Sequence, residues 1–208
     1  RITLPPFRFR YLNTPADPIL IQPEIDDSTW ALIQSHEYWA NPRTDFLLRT
    51  RFCVPDRWRS LILNDQENLK IALYLPIGDA GDFSHPEALA YIDGKPFASC
   101  DRHHQEIILS SQLCDGDEHA LALHGWTGIG GASISELTNR LKMNPCEMVL
   151  IDQPTRNFLS LARVSHGIAK HLSEDDPAKS HLLTALDGSF KQIDLRLQVG
   201  EAFYHSVP

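Results

Sequence analysis

Residues 87–109 read EALAYIDGKPFASCDRHHQEIIL, and this stretch decides the fold. Strand-forming residues lie on both sides of Asp93-Gly94, a dipeptide that suits the two-residue turn of a β-hairpin. The branched residues Ile107 and Ile108 predict a third short strand. Strands of this length, separated by turns this close, predict an antiparallel β-sandwich.

Other apolar runs of strand length lie on both sides of this stretch. Thr44–Val54 alternates apolar and polar residues, and Pro55 ends it. Leu69–Ile77 and Ala120–His124 are two further candidate strands. The first forty residues are rich in proline and aromatic residues, which predicts an extended, loop-rich segment that wraps a sheet.

After Asp152 the spacing of apolar residues changes to three and four, which predicts helices. Pro154 suits the first turn of one helix, whose stripe is Phe158, Leu161, Ser165, Ile168 and Leu172. Asp176 and Pro177 predict the start of a second helix, and Gly200 its end. Its stripe is Leu182, Leu183, Leu186, Phe190, Ile193 and Leu197.

These patterns divide the chain in two. We expect a β-sandwich domain over 1–151 and a pair of α-helices over 152–208. At 208 residues, with 42% apolar and 22% charged residues, the chain is long enough to bury a core.

Composition also limits the partners and the compartment. The net charge is -8, from 27 acidic and 19 basic residues, and no basic block interrupts it, so nucleic acid is not an expected partner. No apolar run has the length of a membrane span, so no membrane partner is expected either. Four cysteines without a CxxC pair fit a reducing compartment, and we expect a cytoplasmic protein.

The run from Asp101 to Glu106 has the residue types of a metal or acid-base site. In an extended chain only alternate residues share a face, so we expect His104 to pair with Glu106 while His103 points away. Two ligands do not hold a zinc ion. With Arg102 included, the pattern favours a polar cluster that ties a loop to a neighbouring domain.

A glycine-rich segment, GWTGIGG at 125–131, follows a predicted strand. It matches neither GxGxxG nor GxxxxGKS, so a phosphate-binding loop is not favoured. The pattern favours a flexible glycine loop around a packed Trp126. The alternative is that the Trp126 indole stacks on a sugar ring at a sandwich edge.

A second acidic group lies in the loop before the hairpin. Asp79, Asp82, His85 and Glu87 have the residue types of a glycosidase carboxylate pair or a calcium site. Two acids in one loop rarely hold the fixed separation that glycosidases need, so the pattern favours solvated loop charges.

Five segments carry a family resemblance: ALAYIDGKPF, DRHHQEI, LALHGWTG, IDQPTRNF and AFYHSVP. Together they resemble the amino-terminal region of glycoside hydrolase family 38 α-mannosidases, closest to the cytosolic, bacterial-type branch. The resemblance implies a galactose-binding-like jelly-roll β-sandwich, followed by a helical connector that leads to a catalytic domain.

That family hydrolyses α-mannosides with retention, through a carboxylate nucleophile and an active-site zinc. Its metal-binding motif, His-x-Asp-x-x-Trp, does not occur in this sequence. The resemblance therefore implies a non-catalytic domain, inactive alone, with no catalytic or metal-binding residue and no cofactor of its own. Zn2+ and the α-mannoside would bind a separate catalytic domain, its partner, and the run from Asp101 to Glu106 would contact that domain or line its cleft.

Two other roles stay open at this point. The chain could be a stand-alone carbohydrate-binding module that holds sugar with Trp126 and the carboxylates around Asp82. It could also be an oligomerisation domain, in which the sandwich edges and the second apolar helix face form the interface of a homo-oligomer.

Overall fold

The structure is a computed structural model that describes residues 1–14, 17, 20–65, 67–78, 85–129, 141–197 and 201–208. The chain divides into two compact units. The sandwich unit comprises Arg1–Asn64 and Ile71–Leu150, and the helical unit comprises Asp65–Lys70 and Ile151–Pro208. No helix in these described ranges combines the length and apolar character needed to cross a bilayer.

The described residues form twelve strands and four α-helices. The strands are β1 Ile2–Thr3, β2 Phe7–Leu12, β3 Ala31–Ile33, β4 Tyr38–Ala40, β5 Asp45–Cys53, β6 Leu69–Tyr74, β7 Glu87–Ile92, β8 Lys95–Cys100, β9 Glu106–Ile108, β10 Glu118–Trp126, β11 Leu141–Lys142 and β12 Glu147–Asp152. The helices are α1 Asp56–Asn64, α2 Gln153–His171, α3 Pro177–Phe190 and α4 Glu201–His205, with a 3-10 turn at Ser111–Leu113.

The strands form two larger antiparallel sheets and a small pair. The six-stranded sheet has the order β3-β2-β5-β10-β7-β8, and the four-stranded sheet has the order β1-β12-β6-β9. Strand β10 pairs along its whole length with β5. This mainly β, antiparallel architecture is consistent with a β-sandwich, as the sequence predicts.

The predicted hairpin around Asp93-Gly94 is confirmed. Strands β7 and β8 pair antiparallel across it. Asp93 has φ 49° and Gly94 has φ 74°, so both turn residues are in the left-handed region that a type I′ turn requires. Asp and Gly accept this backbone conformation more readily than other residues, which is why the dipeptide marks the turn.

An aromatic cluster lies in the core of the sandwich unit. The Trp39 ring packs edge-on against Phe9, at 5.3 Å between centroids, and against Phe46, at 4.9 Å. Trp39 is 1% exposed, and its Nε1 donates a hydrogen bond to the Ile77 carbonyl at 2.7 Å. The indole N–H is therefore satisfied inside an apolar core, which makes Trp39 a central packing residue.

The N-terminal segment is more regular than its composition predicts. Strand β2 pairs with β5 inside the six-stranded sheet, because Phe7 and Phe9 alternate with Arg8 and Arg10. The prediction of a loop-rich segment was wrong here, since the prolines flank this alternating run without interrupting it.

The segment after β2 does contact the sheet, through the buried Arg49 and the exposed Arg51. Arg49 on β5 donates to the Asp27 carboxylate at 2.8 Å and to the Leu20 carbonyl at 2.9 Å. Arg51 donates to the Pro23 carbonyl. These bonds hold the segment against β5, in agreement with a segment that wraps a sheet.

In the helical unit α2 and α3 pack on each other as a hairpin. The Asp152 side chain caps α2 by accepting from the Thr155 amide, and Asp176 caps α3 by accepting from the Ala178 amide. Phe158 near the start of α2 meets Phe190 at the end of α3, at 5.2 Å between ring centroids.

The predicted boundaries and stripe of these helices need correction. Helix α3 ends at Phe190, so Ile193 and Leu197 lie beyond it and are not part of its stripe. Gly200 lies outside the described residues. On α2, Leu161 and Ile168 are exposed, and the buried residues are the small Ala162 and Ala169.

Candidate functional site

A buried histidine lies between two carboxylates in the sandwich unit. His119 on β10 is 7% exposed. Its Nδ1 lies 2.7 Å from Asp93 Oδ2, and its Nε2 lies 3.1 Å from Asp115 Oδ1. The other Asp93 oxygen accepts the Ala120 amide at 2.9 Å. Three separate segments meet at this cluster, which we call the His119 latch.

The latch favours an imidazolium. Burial lowers the pKa of His119, but hydrogen bonds with Asp93 and Asp115 outweigh it and raise the pKa above its ordinary value. The amide of Asp117 and the bond with His119 hold the pKa of Asp115 below its ordinary value. Because a carboxylate faces each ring nitrogen, neither nitrogen is open to a substrate proton, so the arrangement suits a structural latch.

Sequence reasoning missed this latch. The signal in the sequence is the turn residue Asp93 together with DGDEH at 115–119, but register between β7 and β10 is needed to join them. No described group of three or more His, Cys, Asp or Glu residues is arranged to hold a metal ion.

The run from Asp101 to Glu106 forms a turn, and the predicted pairing within it was wrong. Asp101 Oδ1 accepts the amides of His103 and His104, and His104 Nδ1 lies 2.8 Å from Asp101 Oδ2. The chain bends at 101–103, so the alternation of an extended strand does not apply and His104 meets Asp101 rather than Glu106.

The electrostatics of this turn follow from its hydrogen bonds. Burial raises the pKa of Asp101, but the His104 side chain and the amides of His103 and His104 outweigh it and lower the pKa. His103 and His104 are exposed. Arg102 and Glu106 also have interactions of their own.

Trp126 lies at the end of β10 in the six-stranded sheet, whereas the run 101–106 connects β8 of that sheet to β9 of the four-stranded sheet. It is opposite Asp45 on β5 and Glu87 on β7. Residues directly opposite on neighbouring strands have side chains on the same face. Trp126 is 36% exposed, so the favoured interpretation of a fully packed indole was wrong.

We call Asp45, Trp126 and Glu87 the Trp126 row. An indole stands between two carboxylates, one on each neighbouring strand. Leu89 is two residues along β7 from Glu87 on the same face, and it is also exposed. The row therefore combines an exposed apolar strip with hydrogen-bond acceptors on both sides.

Gly125 explains how the row is held. A Cβ at this position would meet the Glu87 carbonyl oxygen at 2.3 Å and Ala88 Cβ at 2.7 Å. The close approach of β7 therefore requires glycine at this position. Gly125 and Trp126 are the last two residues of strand β10, so the predicted flexible loop was wrong for them. Residues 130–131 of that segment lie outside the described part of the chain.

The acidic group before the hairpin is described only in part. Asp79 and Asp82 lie outside the described residues. Glu87 starts β7 and belongs to the Trp126 row, so it is a strand residue rather than a loop charge. The calcium site, the carboxylate pair and the favoured solvated charges of this loop therefore stay predictions.

Comparisons with known proteins give no family. No family model matches the chain, and no curated protein matches it. Solved structures do match. A calcium-binding mutant of Bacteroides uniformis β-glucuronidase 2 matches with TM-score 0.46 and 16% identity, over 72% of this chain and 17% of that one.

Two further solved structures match with lower TM-scores. A β-glucuronidase from glycoside hydrolase family 2 matches with TM-score 0.40 and 15% identity, over 64% of this chain and 14% of that one. Ruminococcus gnavus β-glucuronidase in complex with an N1-substituted uronic isofagomine matches with TM-score 0.37 and 14% identity, over 68% of this chain and 25% of that one. The chain thus spans a quarter or less of these proteins.

These findings correct the family resemblance. The structures similar to this chain that are named above are β-glucuronidases, not family 38 α-mannosidases. The short segments that carried the resemblance are strand, turn and helix-start sequences, and such sequences recur because the same local geometry needs them.

Proposed function

We propose that this chain is a non-catalytic β-sandwich region that accompanies a glycosidase and contacts carbohydrate. The Trp126 row carries the proposal. An indole face packs on the C–H face of a sugar ring, and carboxylates beside it accept hydrogen bonds from sugar hydroxyls. The likenesses to solved structures, all with TM-scores below 0.5, do not carry it.

The same geometry favours binding over hydrolysis. A glycosidase needs two carboxyl groups on either side of the scissile bond, with the reacting carbon between them. Asp45 is on β5 and Glu87 is on β7. Strand β10, which carries Trp126, lies between those two strands. In the strand register, Trp126 occupies the position between the two carboxylates, where a glycosidase keeps the bond that it cleaves.

The charge of the row limits its ligand. Asp45 and Glu87 are both acidic, so a uronate ligand would be repelled while a neutral sugar would not. We therefore propose a neutral hexose as the ligand. The finer features, a galactose-binding-like jelly-roll topology and a cytoplasmic location, are part of this proposal.

The first experiment tests binding. Methyl galactoside, methyl glucoside and glucuronic acid are titrated into the 208-residue chain while the Trp126 indole N–H is followed by NMR. We expect a neutral glycoside to shift that signal and glucuronic acid to leave it unchanged. In a calorimetric titration, which does not need the indole signal, Trp126→Ala should weaken binding at least tenfold, while Trp30→Ala, outside the row, should not.

Two outcomes would overturn the proposal separately. If no neutral glycoside saturates the chain, or if Trp126→Ala binds as well as the original sequence, the carbohydrate contact is wrong. If the chain turns over an aryl glycoside above background, and Asp45→Asn or Glu87→Gln abolishes that turnover, the non-catalytic assignment is wrong.

The run from Asp101 to Glu106 has a secondary place in this proposal. Its turn is exposed at His103 and His104 and is held in one shape by Asp101. A shaped, polar turn of this kind is suited to an interface with another domain. His103→Ala with His104→Ala should leave glycoside binding unchanged.

A further inference from the structure

A second row of side chains lies beside the Trp126 row on the same face of the six-stranded sheet. His124 is two residues before Trp126 on β10, and it is opposite Leu89 on β7. Leu89 is in turn opposite Ser99 on β8. Residues two apart on one strand share a face, and so do residues directly opposite on neighbouring strands. We call His124, Leu89 and Ser99 the His124 row.

The His124 row has an apolar centre with a hydrogen-bonding group on each side. Leu89 is 39% exposed, Ser99 is exposed and His124 is half-buried. Among the described residues, neither the His124 imidazole nor the Ser99 hydroxyl finds a hydrogen bond, an ion pair or a ring contact. The Trp126 row has the same plan, an apolar centre between two polar groups. The His124 row therefore offers a second place where a sugar ring packs its C–H face while its hydroxyls are hydrogen-bonded at both edges.

The segment 20–27 covers the other end of this face. Arg49, four residues along β5 from the Trp126 row, is 2% exposed and donates to the Asp27 carboxylate of this segment at 2.8 Å. The Gln22 side chain lies against the turn between β7 and β8, where a Cβ added to Gly94 would meet Gln22 Oε1 at 2.5 Å. The segment thus reaches from β5 to that turn and leaves the end of the face with the two rows exposed.

The spacing of the two rows suits two joined sugar rings. Trp126 and Leu89 are diagonal neighbours on β10 and β7. This relation separates two residues by about 7 to 8 Å, which is close to the width of one pyranose ring with its hydroxyls. A single ring on Trp126 therefore does not cover the His124 row, whereas the next ring of a chain does. Since the carboxylates of the Trp126 row repel anions, the chain that fits is neutral.

We propose that this face binds a neutral oligosaccharide of at least two rings, with one ring on Trp126 and the next on Leu89. His124 and Ser99 form hydrogen bonds with hydroxyls of the second ring, and they select a chain over a single sugar. The inference rests on the proposed carbohydrate contact and deepens it, because it gives the length of the ligand and two further specificity residues.

The test compares single and joined sugars in calorimetric titrations of the 208-residue chain. The single sugars are methyl glucoside and methyl galactoside, and the joined sugars are cellobiose, maltose and lactose. We expect at least one disaccharide to bind about tenfold or more tightly than either methyl glycoside, because its second ring adds contacts to a ligand already held. In NMR spectra that disaccharide should shift the Ser99 amide and the His124 ring protons, which the methyl glycosides should shift much less.

Two variants place the second ring. His124→Ala should lower the affinity for the disaccharide by a factor about five times larger than its effect on the methyl glycosides, the scale of one lost hydrogen bond. Ser99→Ala, at an exposed position, should act in the same direction, and it keeps the test valid if His124→Ala disturbs β10. His104→Ala removes an exposed histidine outside both rows and should leave both affinities unchanged.

The outcomes separate this inference from the function on which it rests. If no glycoside of either size binds, both are wrong, and the face is left to contact with a protein. If the methyl glycosides bind through Trp126 but no disaccharide binds more tightly, this inference alone is wrong. It is also wrong if neither His124→Ala nor Ser99→Ala lowers the disaccharide affinity by the larger factor.

Discussion

The sandwich unit and the helical unit use apolar residues in opposite ways. In the sandwich unit the large side chains are inside, with Trp39, Phe46 and Leu48 almost fully buried. In the helical unit the fully buried residues of α2 are two alanines, and larger side chains such as Leu161 are outside. The first unit therefore buries its large apolar side chains, whereas α2 leaves several of its own exposed.

The largest effect is expected at the centre of the sandwich core. Trp39→Ala removes two edge-on ring contacts and the hydrogen bond to the Ile77 carbonyl. We expect the free energy of unfolding, measured with urea, to fall by about 3 to 5 kcal/mol. Trp126→Ala, at an exposed position, is the matched control and should cost much less. If both variants lost the same free energy of unfolding, burial would not explain the role of Trp39.

A smaller effect is expected at the His119 latch. His119→Gln replaces an imidazolium between two carboxylates by a neutral amide. We expect a loss of about 2 kcal/mol in the free energy of unfolding near pH 5.5, the scale of a hydrogen bond to a charged group. His104→Gln removes an exposed histidine that meets Asp101, and it should cost about 0.5 kcal/mol or less.

The latch also has a predicted pH dependence. The pKa of His119 is raised in the folded state, so its contribution is full below the unfolded pKa and is lost as the pH rises through the folded pKa. The pKa of Asp115 is lowered, so its contribution is lost only as the pH falls through that lower pKa. The difference between the original chain and His119→Gln should therefore shrink above neutral pH in urea titrations. A constant difference from pH 5 to 9 would contradict the charged latch.

The smallest effect is expected inside the helical unit. Ala162 is buried on α2, so Ala162→Leu overpacks the hairpin and should cost about 1 to 2 kcal/mol in thermal unfolding of the chain. Its neighbour Leu161 is exposed, and Leu161→Ala should change the stability of the monomer by about 0.5 kcal/mol or less. If Leu161→Ala costs more than Ala162→Leu in a monomeric sample, the stripe is part of the core of the unit.

The hairpin and the antiparallel class could be predicted because their causes are local. Asp93 and Gly94 accept the left-handed backbone that a tight turn needs, and alternation between Thr44 and Val54 marks a strand. The alternation does not reveal that β5 is buried on both faces over residues 46–50. Strand β2 was not predicted, because the prolines on both sides favoured a loop and the alternation of Phe7 and Phe9 with arginines was given less weight.

The site residues were harder, since they depend on register between distant strands. His119 meets Asp93 only because β10 lies beside β7, and Trp126 meets Asp45 only because β10 lies beside β5. Neither pairing has a local signature. The prediction for the run from Asp101 to Glu106 was wrong for a different reason. The Asp101 side chain accepts the amides of His103 and His104, and this bends a stretch that was predicted to be extended.

The pairing of β5 with β10 has a consequence for how the protein is made. Asp45 is opposite Trp126 and Cys53 is opposite Glu118, so the central ladder joins residues far apart in the chain. During synthesis, β5 leaves the ribosome well before β10, and among the described strands its partner made earlier is β2. Until β10 is made, the edge of β5 that pairs with it is unpaired. We expect the nascent chain to be most prone to aggregation, and a chaperone to be most useful, during this interval.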